Sequence, residues 1–179
     1  YQMKIKSIKD TVKEYFFVNP TSRLRVRQIE RELQVPLPSA IRYAKELENE
    51  GILKKEEAHG VVFFSSDRAS RSFLLEKRIF NIRSIFESGL IDFMIEEYSN
   101  PVIILFGSYS KGEDIEGSDI DLYLQSPSKK KTSLGRFEKI LKRKIHVFAY
   151  SGINKVNNPH LANNIINGIT LNNFLEVFK

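Results

Sequence analysis

The chain has 179 residues, of which 41% are hydrophobic and 28% charged, proportions that exclude a disordered chain. It has no cysteine, which excludes disulfides and thiolate metal sites, and no apolar run approaches the roughly 20 residues that span a bilayer. The net charge of +6 comes from both ends, with +3 in residues 1–70, −1 in residues 71–100 and +4 in residues 101–179. This balance favours an anionic partner, such as nucleic acid or a triphosphate.

No N-terminal signal segment is visible, so we expect a cytoplasmic protein with no membrane partner. Tyr1 and Gln2 stand before Met3, and we expect them to be a vector remnant ahead of the natural start.

Residues 1–68 are predicted to form three helices and a hairpin. A first helix over residues 8–17 ends at Asn19-Pro20, because proline disfavours helical geometry in the residue before it. A second helix follows, and Ser39 is predicted to cap a third, which ends at Gly51. The apolar positions on one face of each helix are Val26, Ile29 and Leu33, then Ile41, Ala44 and Leu47. Residues 52–53 and 61–64 flank the turn of a short hairpin.

This order resembles a winged-helix domain, a helix-turn-helix architecture that places its third helix in the major groove of DNA. The resemblance implies that Ser39, Arg42, Lys45 and Asn49 contact double-stranded DNA. Acidic residues at 46, 48 and 50 crowd the same helix, and winged helices also bind proteins, so a protein-binding role stays open.

Residues 69–100 are predicted to connect the two halves through helices. Ile79, Ile82 and Phe86 form the apolar pattern of the first helix, and Ser88-Gly89 ends it. A shorter helix carries Leu90, Phe93 and Met94.

Residues 101–179 are predicted to form a small sheet domain, which makes the chain an α+β protein. Buried strands are expected at 102–106, 119–125 and 145–150, with a helix near 134–143 and a final helix from Pro159 that includes Leu161, Ile165 and Ile169. The basic loop before the middle helix contains Lys129 to Lys131, a charge run typical of solvated surface.

The chemistry is concentrated between the first two of these strands. Gly107 lets backbone amides approach an anion closely, and Ser108 opens a helix, so this turn suits phosphate. Asp119 and Asp121 alternate on a strand and therefore point to one face, roughly 7 Å apart. Two carboxylates at that spacing suit Mg²⁺, which prefers carboxylates, water and nucleotide phosphates.

The pattern Gly107-Ser108, ten residues, then Asp119-x-Asp121 closely resembles the DNA polymerase beta nucleotidyltransferase superfamily. It is most similar to the minimal bacterial and archaeal members, including those fused to winged helices, and the likeness covers residues 101–148. Lys111-Gly112 stands where relatives often have Arg-Gly.

The resemblance implies a two-metal mechanism in which Asp119 and Asp121 hold Mg²⁺ or Mn²⁺ on a nucleoside triphosphate, which we expect to be ATP. Gly107, Ser108, Lys111 and Gly112 would bind the nucleotide phosphates. A hydroxyl acceptor would attack the α-phosphorus and release pyrophosphate. Acceptors of minimal relatives include protein tyrosines, so a protein acceptor is one expectation.

The third carboxylate of active relatives is missing, because alternation places His146 at that position. His146 is either a base that titrates near neutrality or only a partly buried structural residue. Two functions therefore remain open: an active transferase, or a DNA-binding regulator whose impaired transferase domain senses nucleotide. A scaffolding module that uses neither activity is the weakest of the alternatives.

Overall fold

In the computed structural model, which describes residues 6–127, 130 and 132–178, the chain divides into two units, Tyr1–Phe80 and Asn81–Lys179. The expected vector remnant and two loop lysines, Lys129 and Lys131, lie outside the described residues. None of the helices in the described part combines the length and the apolar character that a membrane crossing requires.

The first unit contains an antiparallel three-stranded sheet in the order β1-β3-β2, with three helices packed on a single core. Its elements are α1 (Ile8–Val18), β1 (Arg23–Leu24), α2 (Val26–Leu33), α3 (Leu37–Asn49), β2 (Leu53–Ala58) and β3 (Val61–Ser66). The predicted helices and hairpin are confirmed, whereas β1, only two residues long, was not predicted. Helix α4 (Arg71–Glu87) follows and continues into the second unit.

The predicted start of α3 is wrong, and so is one of its three predicted core positions, Ile41, whereas Ala44 and Leu47 are confirmed. The helix begins at Leu37 with Pro36 as its N-cap, so Ser39 lies inside the first turn and does not cap it. Pro38 fits this start because the first-turn N–H groups have no helical acceptor to lose. The buried positions are Ala40, Ala44 and Leu47, whereas Ile41 is 37% exposed.

The predicted apolar face of α4 is also wrong, because Ile79 and Phe86 are 43% and 46% exposed. The buried positions of this helix are spaced four residues apart and include two polar side chains. They are Phe73, Lys77, Asn81 and Ile85. An apolar pattern alone therefore selected the wrong side of the helix.

The second unit contains a mixed four-stranded sheet in the order β6-β5-β4-β7. Its elements are α5 (Leu90–Glu97), β4 (Val102–Phe106), α6 (Gly107–Lys111), β5 (Ile120–Gln125), α7 (Gly135–Leu141), β6 (Ile145–Tyr150), a short 3₁₀ helix (Ile153–Lys155), α8 (Pro159–Ile166) and β7 (Ile169–Asn172). Strand β4 is antiparallel to both neighbours, and β5 pairs with β6 in parallel. The chain is therefore an α+β protein.

The final helix was predicted too long. Helix α8 ends at Ile166, and Ile169 begins β7, which covers the free edge of β4. The spacing of Ile165 and Ile169 fits a helix, but the chain turns at Gly168, where it passes close to the β4 backbone.

The sheet of the second unit has a core on each face. Ile103, Leu105 and Leu122 share a cluster with side chains of α5 and α7. Val102, Ile104, Phe106 and Tyr123 share a second cluster with Ile165 of α8. By alternation Asp121 lies on the same face as Tyr123.

Gly168→Ala is expected to lower the free energy of unfolding by about 1–3 kcal/mol, the usual cost of overpacking. A Cβ at this position would lie 2.6 Å from Ile104 Cγ2 and 2.6 Å from the Leu105 carbonyl oxygen. The carbonyl belongs to paired backbone and has little freedom to move. Urea denaturation monitored by circular dichroism would show a lower midpoint with an unchanged slope.

Gly117→Ala is the matched control, since a Cβ there has nothing within 4 Å. Equal midpoints for the two variants would show that the close approach at Gly168 is not tight in solution.

Candidate active site

The turn after β4 lies directly against a carboxylate of β5. Strand pairing places Phe106 opposite Asp121, and the next residue, Gly107, has a φ of +75°. A Cβ on Gly107 would lie 2.5 Å from Asp121 Oδ2. Glycine suits this position for two reasons: it adopts the positive φ easily, and its lack of a Cβ leaves room for the Asp121 carboxylate.

The other residues of the predicted phosphate turn lie on α6, which starts at Gly107. The Ser110 hydroxyl donates to the Gly107 carbonyl at 2.7 Å and holds the turn closed. Ser108 is half-buried, Lys111 is exposed, and Gly112 ends the helix with a φ of +75°. The first-turn N–H groups of any helix lack helical acceptors, so they are available to an anion beside Asp121.

Asp119, Asp121 and His146 come together on one face of the sheet. The parallel register pairs Asp121 with His146, and His146 Nδ1 lies 4.0 Å from Asp119 Oδ2 and 4.0 Å from Asp121 Oδ1. The side chain of Asp119 is 44% exposed, that of Asp121 28% and that of His146 68%. A ligand can therefore reach all three.

The charges at this corner are not balanced within the protein. Burial raises the pKa of Asp121, His146 opposes that rise, and the neighbouring Asp119 adds to it. A positive charge close to the two carboxylates would lower the cost of ionising Asp121.

Aromatic side chains continue this face away from the carboxylates. The His146 ring meets Phe148 edge-on at 5.7 Å between centroids, and Phe148 contacts Phe106 at 5.3 Å. Tyr123 stacks with Tyr150 at 6.3 Å, and burial, assisted by Tyr150, raises the pKa of Tyr123 to about 12. Tyr123 therefore stays neutral, and His146 rests on a rigid apolar surface.

Two carboxylates and an imidazole suit a divalent ion that a substrate also coordinates, rather than an ion enclosed by protein ligands alone. Among the residues that the structure describes, no three His, Asp or Glu side chains are arranged as a ready metal site. Mg²⁺ commonly needs only one or two protein carboxylates when substrate phosphates supply further oxygens. Imidazole is a ligand for transition metals rather than Mg²⁺, so Asp119 and Asp121 are the residues that would hold Mg²⁺ or Mn²⁺.

A buried polar network supports the loop between the two motifs, and sequence reasoning missed it. Asn81 donates to the Tyr109 carbonyl at 2.9 Å and to Asp114 Oδ1 at 2.7 Å, and Arg143 Nη2 lies 3.6 Å from Asp114 Oδ2. Burial first, and then Asp114, raises the pKa of the Tyr109 phenol. The sequence signal for this network was Asn81, a polar residue four positions from other buried residues of α4.

Glu138 was also missed, and it fixes the start of β6. Its carboxylate accepts the Ile145 N–H at 3.1 Å and pairs with Lys144 at 3.4 Å. That backbone hydrogen bond, with Lys144, lowers the pKa of Glu138. A single carboxylate therefore helps to place His146 one residue further along the chain.

A cavity of about 420 Å³ adjoins Asp119 on the β6 side of the sheet. Its lining is mixed in charge: Glu116 and Glu138 lie there with Asp119, and the basic residues come from the end of α7 and the turn after it. The lysines are Lys139, Lys142 and Lys144. Gly107 and Ser108 lie on the opposite, β4 side of Asp121.

Residues 87–170 match the family model of the nucleotidyltransferase domain. The matched region supports a polymerase-beta-like nucleotidyltransferase and, in general terms, transfer of a nucleoside monophosphate. It contains every residue of the predicted catalytic, nucleotide and metal sites, and it extends the resemblance on both sides of residues 101–148. No curated protein and no solved structure gives a significant match.

The predicted DNA-binding residues lie on α3 of the first unit. Arg42, Lys45 and Asn49 are exposed, and Ser39 is half-buried. Arg42 is engaged within its own helix, since its guanidinium stacks on Tyr43 with 4.4 Å to the ring centroid and lies 3.8 Å from Glu46.

Gly107→Ala is expected to weaken binding of a triphosphate with Mg²⁺ or Mn²⁺ by roughly tenfold or more, the usual effect of disturbing a ligand's support. The new Cβ would push the Asp121 carboxylate out of place. Titration calorimetry with a non-hydrolysable nucleotide measures the loss.

Gly89→Ala controls for backbone strain alone, because Gly89 has a φ of +76° and open space around its Cβ position. If both variants lose affinity equally, contact with Asp121 is not the cause.

Asp121→Asn is expected to raise the Tm of the metal-free protein at neutral pH. The folded pKa of Asp121 lies above its ordinary value of 3.8. The wild type therefore loses stability as the pH rises from 3.8 through the folded pKa. Asparagine at this position does not ionise, so the variant does not lose that stability. The gain should shrink as the pH falls toward 4, and Mn²⁺ should raise only the wild-type Tm. Thermal melts across this pH range would reject the idea if the metal-free variant melted lower at neutral pH.

Proposed function

We propose that the chain transfers a nucleoside monophosphate from a nucleoside triphosphate to a hydroxyl acceptor, with Mg²⁺ or Mn²⁺ as cofactor. One observation carries this proposal: the Gly107-Ser108 turn lies against the Asp121 carboxylate, with Asp119 on the same face. Such a corner brings an anion-binding turn and a cation-binding pair within reach of one triphosphate.

Each residue has a role in this proposal. Ser108 and the first-turn N–H groups of α6 grip the terminal phosphates, and Lys111 neutralises their charge. Asp119 and Asp121 hold the ion, which when bound would offset charge on the reacting phosphates. The acceptor oxygen bonds to the α-phosphorus, the bond to the β-phosphate oxygen breaks, and pyrophosphate leaves.

His146 is assigned the proton of the attacking hydroxyl. Imidazole is an effective base near neutral pH, and His146 projects onto the same corner as both carboxylates, at 4.0 Å from each. This assignment gives the histidine a function that does not require it to bind the ion.

The acceptor is proposed to approach over the cavity beside Asp119, which lies on the opposite side from the phosphate turn. Exposed Lys139 and Lys142 there suit a macromolecule with negative charge near its hydroxyl, and a protein is our first candidate. ATP is the nucleotide to test first.

Labelled ATP, CTP, GTP and UTP with Mg²⁺ or Mn²⁺ provide the direct test, through pyrophosphate release and labelled products in cell lysate. Asp119→Ala should reduce transfer at least a hundredfold, whereas Glu113→Ala, which removes an exposed carboxylate from the same loop, should leave it unchanged. Equal rates for the two variants would exclude this site as the catalytic one.

The second candidate function is a regulator whose winged-helix domain binds DNA through Ser39, Arg42, Lys45 and Asn49, and whose impaired transferase domain senses nucleotide. The observation that favours it is His146 opposite Asp121, with no Asp or Glu between Glu138 and Glu176.

His146→Asp separates the two candidates. If the protein is an active enzyme, the wild type releases pyrophosphate and His146→Ala releases it much more slowly. A sensor binds nucleotide without turnover, and His146→Asp should then give Mg²⁺-dependent pyrophosphate release. Absence of nucleotide binding in every form would reject both.

A further inference from the structure

Four arginines converge on one concave surface of the first unit, away from the residues assigned to DNA on α3. The concavity has a volume of about 530 Å³, and no acidic side chain lines it. Its lining residues are Arg23, Arg25, Arg27, Gln28, Arg31 and Phe63. We call this surface the arginine concavity.

Most of this positive charge is not neutralised within the protein. Arg23 lies 3.3 Å from Glu56, whereas Arg25, Arg27 and Arg31 have no ion pair with any carboxylate in the described part of the chain. All four arginine side chains are exposed. Since guanidinium stays protonated at any physiological pH, the surface attracts anions at neutral pH without a titration step.

The protein also holds two of these guanidinium groups in place. Arg23 and Arg25 lie over the Phe63 ring, with 4.1 Å and 5.1 Å from Cζ to the ring centroid. Arg27 and Arg31 are one helical turn apart on α2 and therefore project from the same face. An ordered set of planar donors suits phosphate oxygens, which guanidinium can bind through two parallel hydrogen bonds.

The exposed face of α3 carries much less unpaired positive charge. Its two cations, Arg42 and Lys45, lie among Glu46, Glu48 and Glu50, and Arg42 already pairs with Glu46 at 3.8 Å. The arginine concavity has twice as many cations and only Arg23 is paired. Electrostatic attraction of a polyanion therefore favours the concavity.

We propose that the arginine concavity binds the phosphate backbone of double-stranded DNA. This inference rests on the DNA binding proposed for residues 1–68, and it moves the main phosphate contacts from α3 to the arginines of β1 and α2. Duplex DNA presents one charge per about 1.7 Å of its axis, which can satisfy several arginines at once. Apart from Phe63 the lining is polar, which suits a phosphate backbone better than an apolar peptide segment.

The test compares two double variants of the full chain that each remove two positive charges. Arg27→Ala/Arg31→Ala should weaken binding to a 20-base-pair duplex at least tenfold and reduce the slope of log K against log salt by about 1.8, since each phosphate contact contributes roughly 0.9. Arg42→Ala/Lys45→Ala should change the slope by less than half of that. Fluorescence anisotropy between 50 and 200 mM salt measures both, and circular dichroism checks that each variant is folded.

Phe63→Leu gives an independent arm, because leucine keeps an apolar side chain but removes the aromatic face under Arg23 and Arg25. Weaker duplex binding with an unchanged melting temperature supports the proposal.

The remaining outcomes overturn it. A larger loss in the α3 variant would return the contacts to that helix, and equal losses would show that only net charge matters. Tighter binding of single-stranded RNA or of a polyglutamate peptide than of the duplex would identify another class of partner. If the wild type binds no duplex at all, the proposed DNA binding fails as a whole, independently of nucleotide transfer.

Discussion

The contact between the Gly107 backbone and the Asp121 carboxylate determines the geometry of the candidate site. Antiparallel pairing of β4 with β5 sets Phe106 opposite Asp121, so the residue after Phe106 must turn beside a carboxylate. A Cβ at this residue would lie 2.5 Å from Asp121 Oδ2 and would displace the carboxylate. Sheet hydrogen bonds between β4 and β5 place this turn beside Asp121, which keeps the proposed anion-binding and cation-binding groups close together.

The same packing leaves the metal-free site electrostatically strained. Burial and Asp119 together raise the pKa of Asp121, and His146, 4.0 Å from both carboxylates, supplies only partial compensation. Strand pairing fixes the backbone of Asp121. Asp119 lies one residue before β5, in the loop that the buried Asn81–Asp114 hydrogen bond supports. A bound cation would offset this cost, which is consistent with the metal role proposed for the two carboxylates.

The motifs could be predicted from sequence because their physics is local. Alternation along one strand places Asp119 and Asp121 on one face, and a glycine followed by serine after a buried strand indicates an anion-binding turn. Other features depend on distant contacts. Ile169 fits the spacing of α8, and only the approach of Gly168 to β4 shows why the chain turns into a strand. The partners of Asn81 lie 28 and 33 residues away, beyond the reach of any local pattern.

The parallel pairing of β5 with β6 has a consequence for how this site changes in evolution. A shift of one residue in that register would turn every β6 side chain to the other face, so strand slippage cannot bring a carboxylate to the place of His146. Replacement at position 146 is a route that leaves the strand register unchanged. Histidine and aspartate codons differ by a single base, so one point mutation separates the present arrangement from a three-carboxylate corner.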